Sequence, residues 1–272
     1  MSRILALTGP GQPAPEGAPQ PEPRRPAIAL DDVTKVYGHG DDALVALEHI
    51  TLEVPRGQFL SILGSSGCGK STLLSIIAGL EDVSAGRVVV DGGRPSLMFQ
   101  EAALLPWLTV GRNVELPLRL RGVARAEREW EVERLLRMVH LENFHRKRPH
   151  ELSGGMRQRV AIARALAQSS EVLLMDEPFG ALDAITRDIL HEDLTRIWEE
   201  TGSTIVFVTH NVREAVRLGD RVVLLKPRPG RMARQWWIDV PRPRRYEMPE
   251  VGALADEITE HLREEIRSHG RT

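Results

Sequence analysis

The sequence predicts an α/β domain built on a mainly parallel sheet and interrupted by an all-helical insert. Three observations predict it. Gly64 to Thr72 reads GSSGCGKST and lies between two apolar runs, Phe59-Leu60-Ser61-Ile62-Leu63 and Leu73-Leu74-Ser75-Ile76-Ile77, the layout of a strand, a glycine-rich turn and a helix. Short buried-strand patterns alternate with helical ones from Val172 to Leu225, which implies a parallel sheet covered on both faces. Between these regions, residues 101–168 show helical periodicity and no convincing strand.

Taken in order, residues 1–26 hold seven prolines between Pro10 and Pro26, a composition that buries no core and reads as a flexible arm. Strand patterns follow at Ile28 to Val33, Ile50 to Val54 and Phe59 to Leu63, with Tyr37 closing the first segment before a Gly-His-Gly turn. Lys70 to Leu80 reads as a helix, and Gly86 to Val90 and Ser96 to Phe99 as strands. In the insert, a helix over Ala124 to His140 sets Trp130, Leu135, Leu136 and Val139 toward one side. Another follows Gly154-Gly155, with Val160, Ala163, Leu166 and Ala167 as a buried stripe. Val172 to Met175 is a strand and Ala184 to Glu200 a helix with Leu190, Leu194, Ile197 and Trp198 on one face. Thr204 to Val208, Val212 to Leu218 and Arg221 to Leu225 complete the alternation as strand, helix and strand. The tail from Pro227 places Trp236-Trp237 in an edge hairpin. A last helix over 251–272 carries Val251, Leu254, Ile258, Leu262 and Ile266 at helical spacing. The run Arg242-Pro243-Arg244-Arg245 reads as a solvated basic linker rather than a phosphate or lipid contact.

Composition bounds the function. At 272 residues, 42% hydrophobic and 27% charged, the chain has an ordinary globular balance, and a formal charge of −2 argues against a nucleic-acid partner. The single cysteine, Cys68, forbids an internal disulfide and fits a reducing compartment. Cys68 reads as an occupant of a tolerant loop position rather than as a nucleophile. No apolar run has the length of a membrane span, and Ile4-Leu5-Ala6-Leu7 is too short for a secretory segment. The expectation is a cytoplasmic chain unless a partner holds it at a membrane.

The glycine-rich turn carries chemistry. Gly64, Gly69, Lys70 and Ser71 fill the pattern G-x-x-x-x-G-K-[ST]. Such a turn aims successive backbone N–H groups at an anion, and the helix behind it adds the positive end of its dipole. Gly64, Ser65, Ser66, Gly67, Cys68, Gly69, Lys70, Ser71 and Thr72 are therefore the candidate nucleotide-phosphate contacts, with Lys70 reaching the β- and γ-phosphates and the Ser71 hydroxyl a ligand for Mg²⁺. Asp176 follows the strand Val172 to Met175, at the sheet edge where ligands bind, and is a second candidate Mg²⁺ ligand. Glu177 is placed to accept a proton from, or orient, an attacking water. His210 ends the next strand at the same edge, where it contacts the γ-phosphate. Gln100, after Ser96 to Phe99, has an amide that reaches the metal or the water. Ser153-Gly154-Gly155 opens a helix without any lysine, a second anion site of hydroxyl and free N–H groups.

In that order, Tyr37, the phosphate loop, Gln100, LSGGMRQR from Leu152, LLMDEP from Leu173, Ala181-Leu182-Asp183 and His210 resemble the ATP-binding cassette (ABC) ATPases, over residues 28 to about 226. The resemblance implies a P-loop NTPase fold with an antiparallel β subdomain and a helical subdomain at about 101–168, within a domain spanning 27–250. It implies that Tyr37 stacks on the adenine of ATP and that Gln100 links the site to a membrane partner. It further implies that Asp183 crosses a dimer interface and that Ser153, Gly154 and Gly155 clamp the γ-phosphate of ATP held by a second, head-to-tail copy.

Within that family, Glu101 to Val110, with Leu104-Leu105-Pro106-Trp107, and the tail Val240 to Arg244 are similar to importer ATPases for nitrate, aliphatic sulfonates and taurine. This similarity implies a chain held at the cytoplasmic face of the cell membrane. There it would energise a separate permease fed by an extracytoplasmic solute-binding protein. Leu104, Leu105 and Trp107 read equally as a groove for a permease helix or as plain core of the insert. Ala102-Ala103 and Asn211 depart from the usual residues without touching an inferred catalytic atom. The other readings are a soluble, non-transport ABC ATPase, an importer for a different solute, and a P-loop kinase or GTPase. The last leaves the Leu152 signature unexplained.

Overall fold

The computed structural model describes residues 25–269, so residues 1–24 of the predicted arm lie outside it. The chain opens with β1 (Ile28–Tyr37) and β2 (Leu44–Val54), an antiparallel pair. Both strands are longer than their apolar cores, because Lys35↔Leu47 and Val36↔Val45 continue the pairing through bulges. Then come β3 (Phe59–Leu63) and α1 (Lys70–Ile77). The predicted helix to Leu80 stops early because Gly79 adopts φ 68°, the left-handed conformation that ends a helix cheaply only at glycine. The next strand, β4 (Ala85–Val90), pairs antiparallel with β1, giving a three-stranded sheet in the order β2-β1-β4.

After β5 (Ser96–Met98) the chain turns helical, with α2 (Val110–Leu120), α3 (Arg125–Met138) and α4 (Gly154–Leu166). Pro117 lies inside α2, a helix breaker that hid this element from periodicity. Trp130 does not face inward: it is 59% exposed, because α3 packs through Val132, Leu135 and Leu136, and two residues before Val132 lies nearly the opposite side of a helix.

The alternation returns with β6 (Val172–Asp176), α5 (Ala184–Thr201), β7 (Thr204–Thr209), α6 (Val212–Leu218) and β8 (Arg221–Lys226). The large sheet runs β5-β6-β7-β3-β8, all parallel. β9 (Arg231–Trp237) closes it antiparallel as the predicted edge hairpin, with Trp236 inward and Trp237 outward.

Strand period two divides the core. Ile205 and Phe207 of β7 join Phe59, Phe179 and the helical portion on one face, whereas Val206 and Val208 join Leu60, Ile62 and Leu74 on the other. The last helix, α7 (Pro249–His269), buries Val251, Ala255 and Ile258 against α6 and β8, with Leu254 and Leu262 partly covered. The Ile266 side chain of the predicted stripe lies outside the described residues.

The basic tail is not a solvated linker. Arg244 is 5% exposed and donates to the carbonyls of Val240 at 2.7 Å, Val216 at 3.0 Å and Ile238 at 3.0 Å, and also to Gly219. Burial, with Arg242 beside it, pushes its guanidinium down to about 10. Arg242 pairs with Asp220 and lies over the Trp198 ring. Carbonyls left over at the end of α6 and at the start of the tail thus find their donors in Arg244.

Candidate functional site

All five residues of β3 are buried, and its C-terminal end delivers the glycine-rich turn between β7 and β8. Gly67 and Gly69 take φ 77° and 92°, which residues with a Cβ rarely adopt. Gly64 packs so closely that a side chain there would collide with Cys68 Sγ and the Leu225 carbonyl. Cys68 is fully buried beneath the turn, and that burial pushes its thiol up, which suits packing and not nucleophilic attack. Lys70, 6% exposed, folds back and donates to the carbonyls of Gly64 at 2.9 Å and Ser65 at 3.0 Å.

A cleft of about 810 Å³ opens above this turn. It is lined by Tyr37, Leu44, Val45 and Ala46 of β1 and β2, by Ser66, Gly67, Gly69, Lys70, Ser71 and Thr72 of the turn and the start of α1, and by an acidic end of Gln100, Asp176 and Glu177. Lys35 Nζ lies 4.8 Å from the Tyr37 ring centre, a cation on one face of the aromatic. Gly64, Ser65 and Cys68 belong to the turn but not to the cleft wall.

The acidic end is tightly organised. The Glu177 N–H donates to the Val208 carbonyl at 2.9 Å, and Glu177 sits at φ 43°, an uncommon backbone for a residue with a side chain. One carboxylate oxygen lies 3.8 Å from Lys70 Nζ, and the other is 2.8 Å from His210 Nδ1. His210 is thus brought to Glu177 as predicted, though it stands just outside the cleft wall. Gln100 Nε2 is close by, since a Cβ on Gly180 would meet it at 3.7 Å and Glu177 Oε2 at 3.9 Å. A Ser71 hydroxyl, an Asp176 carboxylate and a Gln100 amide sharing one cleft with Lys70 form the hard oxygen donor set that Mg²⁺ takes when phosphates supply its other ligands.

Ser153, Gly154, Gly155 and Asp183 are not in this cleft. Ser153 caps α4, its hydroxyl accepting from the Met156 N–H at 3.3 Å. Asp183 caps α5 by accepting from the Thr186 N–H at 3.0 Å, which holds its carboxyl below the usual range. The two turns are neighbours: a Cβ on Gly154 would meet Leu182 at 3.2 Å, and one on Gly155 would collide with Thr186.

Three features escaped the sequence. Arg228 also lines the cleft, arriving from the hairpin between β8 and β9. Gln158 Nε2 donates to the Gln100 carbonyl at 3.0 Å, and Arg164 donates to those of Ala103 at 2.7 Å and Ala102 at 2.8 Å. The loop after Gln100 is therefore tied to α4, the helix that Ser153 caps. Behind His210, Glu214 is 4% exposed, accepts from Thr209 Oγ1 at 2.6 Å, and faces His191 and Arg187 at 3.6 Å and 3.4 Å. No local pattern marks these residues: Glu214 lies in the first turn of α6 and Gln158 and Arg164 lie within α4, where such side chains are commonplace.

Burial pushes the Glu214 carboxyl up, but His191, Thr209 and Arg187 outweigh it and hold it below 4.5. A carboxyl depressed in the fold stabilises it above the unfolded value and loses that contribution as pH falls through the folded value. Glu214→Gln is expected to cost about 1–3 kcal/mol at pH 7. Urea unfolding across pH should show the gap to wild type closing below about pH 4.5. A pH-independent gap would contradict the ionic account.

Known proteins share this chain's family and fold. A family model described as ABC transporter matches residues 47–180. The chain is 45% identical over 231 residues to the taurine import ATP-binding protein TauB of Rhizobium johnstonii, covering 82% of this chain and 88% of that one. It is 46% identical over 255 residues to the bicarbonate transport ATP-binding protein CmpC of Synechocystis sp., covering 88% of this chain but 38% of the longer relative. A solved dimeric ATP-binding cassette in a post-hydrolysis state with ADP and Pi superposes with a TM-score of 0.68 at 36% identity, over 79% of this chain and 100% of that one. With relatives this similar over most of its length and a matching family model, the chain belongs to the ABC transporter family, as one of its ATP-hydrolysing subunits.

Proposed function

We propose that two copies of this chain close head to tail over two ATP molecules and so drive uptake of a small anionic solute through a separate permease. The observation that carries this reading is the division of the site. One copy holds the phosphate turn, Asp176 and Glu177 along its cleft, and leaves Ser153 and Asp183 exposed outside that cleft, with Gly154 half-buried and Gly155 buried behind Ser153. Each cleft then lacks a clamp for the terminal phosphate that a twin supplies across a two-fold axis.

Tyr37 stacks on adenine, the backbone N–H groups of Gly64 to Thr72 hold the phosphates, and Lys70 leaves the loop carbonyls for the β- and γ-oxygens. Ser71, Asp176 and Gln100 would hold Mg²⁺, which neutralises phosphate charge when bound. Glu177 accepts the proton of an attacking water, with His210 orienting its carboxylate and reaching the γ-phosphate. Ser153, Gly154 and Gly155 grip the γ-phosphate in the partner's cleft, and Asp183 spans the seam.

No helix among the described residues is long and apolar enough to cross a membrane. In this reading transport runs through a membrane-spanning partner, with this chain peripheral at the cytoplasmic face and a solute-binding protein on the far side. Leu104 packs partly against the helical core, whereas Trp107 is 67% exposed, so Trp107 is the residue of that run offered to a permease helix. The TauB relative supports a sulfonate such as taurine, and the CmpC relative supports bicarbonate as the second reading. The test is the assembled complex of ATPase, permease and binding protein in vesicles. Taurine, an aliphatic sulfonate, nitrate and bicarbonate are supplied in turn, and one of them should raise ATP turnover several-fold. Trp107→Ala should lose capture of the permease while keeping ATP binding. A chain that captures no permease would sink the transport reading.

A further inference from the structure

The hairpin between β8 and β9 is carried to the cleft by specific contacts. The Gly230 N–H donates to the Ala46 carbonyl at 3.0 Å, and its own carbonyl accepts from the Glu48 N–H at 2.9 Å. A side chain on Gly230 would collide with the carbonyls of Cys68 and Ala46, so the hairpin tip is wedged between β2 and the phosphate turn. Arg231 fastens it further through an ion pair with Glu48.

Two residues before Gly230, Arg228 lines the cleft with Tyr37, Val45, Ala46, Gly67 and Lys70. It is exposed, its φ of 51° is rare for a residue with a side chain, and among the described residues it makes no hydrogen bond and no ion pair. Other hairpin arginines are engaged: Arg231 with Glu48, Arg234 with His261 and Glu257. A fork of N–H donors without a protein acceptor, turned into an anion-binding cleft, is a site waiting for an oxygen ligand.

Its position selects the oxygen. Gly230 bonds Ala46 of β2, the strand that pairs with the Tyr37 end of β1, and packs on Cys68 of the phosphate turn, so Arg228 lines the cleft between Tyr37 and that turn. A nucleotide with its base on Tyr37 and its β- and γ-phosphates on Lys70 presents the ribose and the α-phosphate there. Resting on the proposed reading of this cleft, we infer that Arg228 is a nucleotide-binding residue whose guanidinium contacts the ribose–α-phosphate segment. Because ATP and ADP share that segment, Arg228 holds both, and it keeps the hydrolysis product in place until the clamp opens.

Calorimetric titration of the full chain with ATP and with ADP tests this. Arg228→Ala should weaken both by roughly tenfold, the scale of one charge-assisted hydrogen bond, and Arg228→Lys should recover part of the loss. Arg234→Ala, which removes a hairpin cation away from the cleft, should change neither affinity. Equal unfolding midpoints of wild type and R228A, expected for so exposed a side chain, confine the effect to binding. Unchanged affinity of R228A, or a loss confined to ATP, overturns the assignment. An equal loss in R234A reduces it to net charge and overturns it as well. Wild-type protein that bound neither nucleotide would instead overturn the reading of the cleft on which the assignment rests.

Discussion

Glu177→Gln is expected to lower ATP turnover by about 10²–10⁴, the range supplied by one positioned general base. ATP binding should be preserved and the closed dimer should persist. The substitution keeps the shape and the hydrogen bond to His210, now 2.8 Å from the carboxylate, while removing the ability to accept a proton. It also relieves nothing at Lys70, whose firm partners are the carbonyls of Gly64 and Ser65 and which lies 3.8 Å from Glu177. Steady-state ATPase assays and size-exclusion chromatography with ATP report the two halves of the expectation. Unimpaired hydrolysis by E177Q would falsify the base assignment. His210→Ala should lower turnover too, but through orientation, so its residual rate should exceed that of E177Q.

The parts of the site that were legible are those in which local pattern and topology say the same thing. Phe59 to Leu63 is apolar throughout because β3 is buried between two parallel neighbours, and the glycines after it answer to left-handed backbone at Gly67 and Gly69. Asp176, Glu177 and His210 follow apolar strands, and parallel strands deliver their ends to one edge, so their convergence could be anticipated. The unread parts depend on contacts between segments far apart in sequence. Arg244 lies in a Pro- and Arg-rich run that looks solvated, and nothing local reveals that the end of α6 and the Val240 turn bring four carbonyls to it. Arg228 is equally silent, because its place is set by Gly230 fitting between Ala46 and Cys68. Trp130 misled for another reason: a helix with arginines and glutamates all round has a weak apolar stripe, and a large aromatic in it draws attention from Val132, Leu135 and Leu136.

Ser153→Arg and Lys70→Ala should each abolish ATP turnover alone, yet mixing the two variants should restore it. Ser153 is exposed at the start of α4, where an arginine fits sterically but occupies the space of a neighbour's terminal phosphate. Losing the Ser153 cap should cost about 1 kcal/mol, too little to unfold the chain, which thermal unfolding checks. Lys70→Ala removes the cation at the mouth of the phosphate turn and should weaken nucleotide binding in its own cleft. In a homodimer of either variant both composite sites are damaged. In a mixed dimer one site collects both lesions and the other collects neither. Equal mixing makes half the dimers mixed, so about a quarter of wild-type turnover should return if sites act independently. A site completed within one chain allows no such rescue, because each variant then carries its damage into every cleft it forms. The distinction is therefore qualitative: any recovery on mixing requires that Ser153 serve a phosphate bound by the other copy.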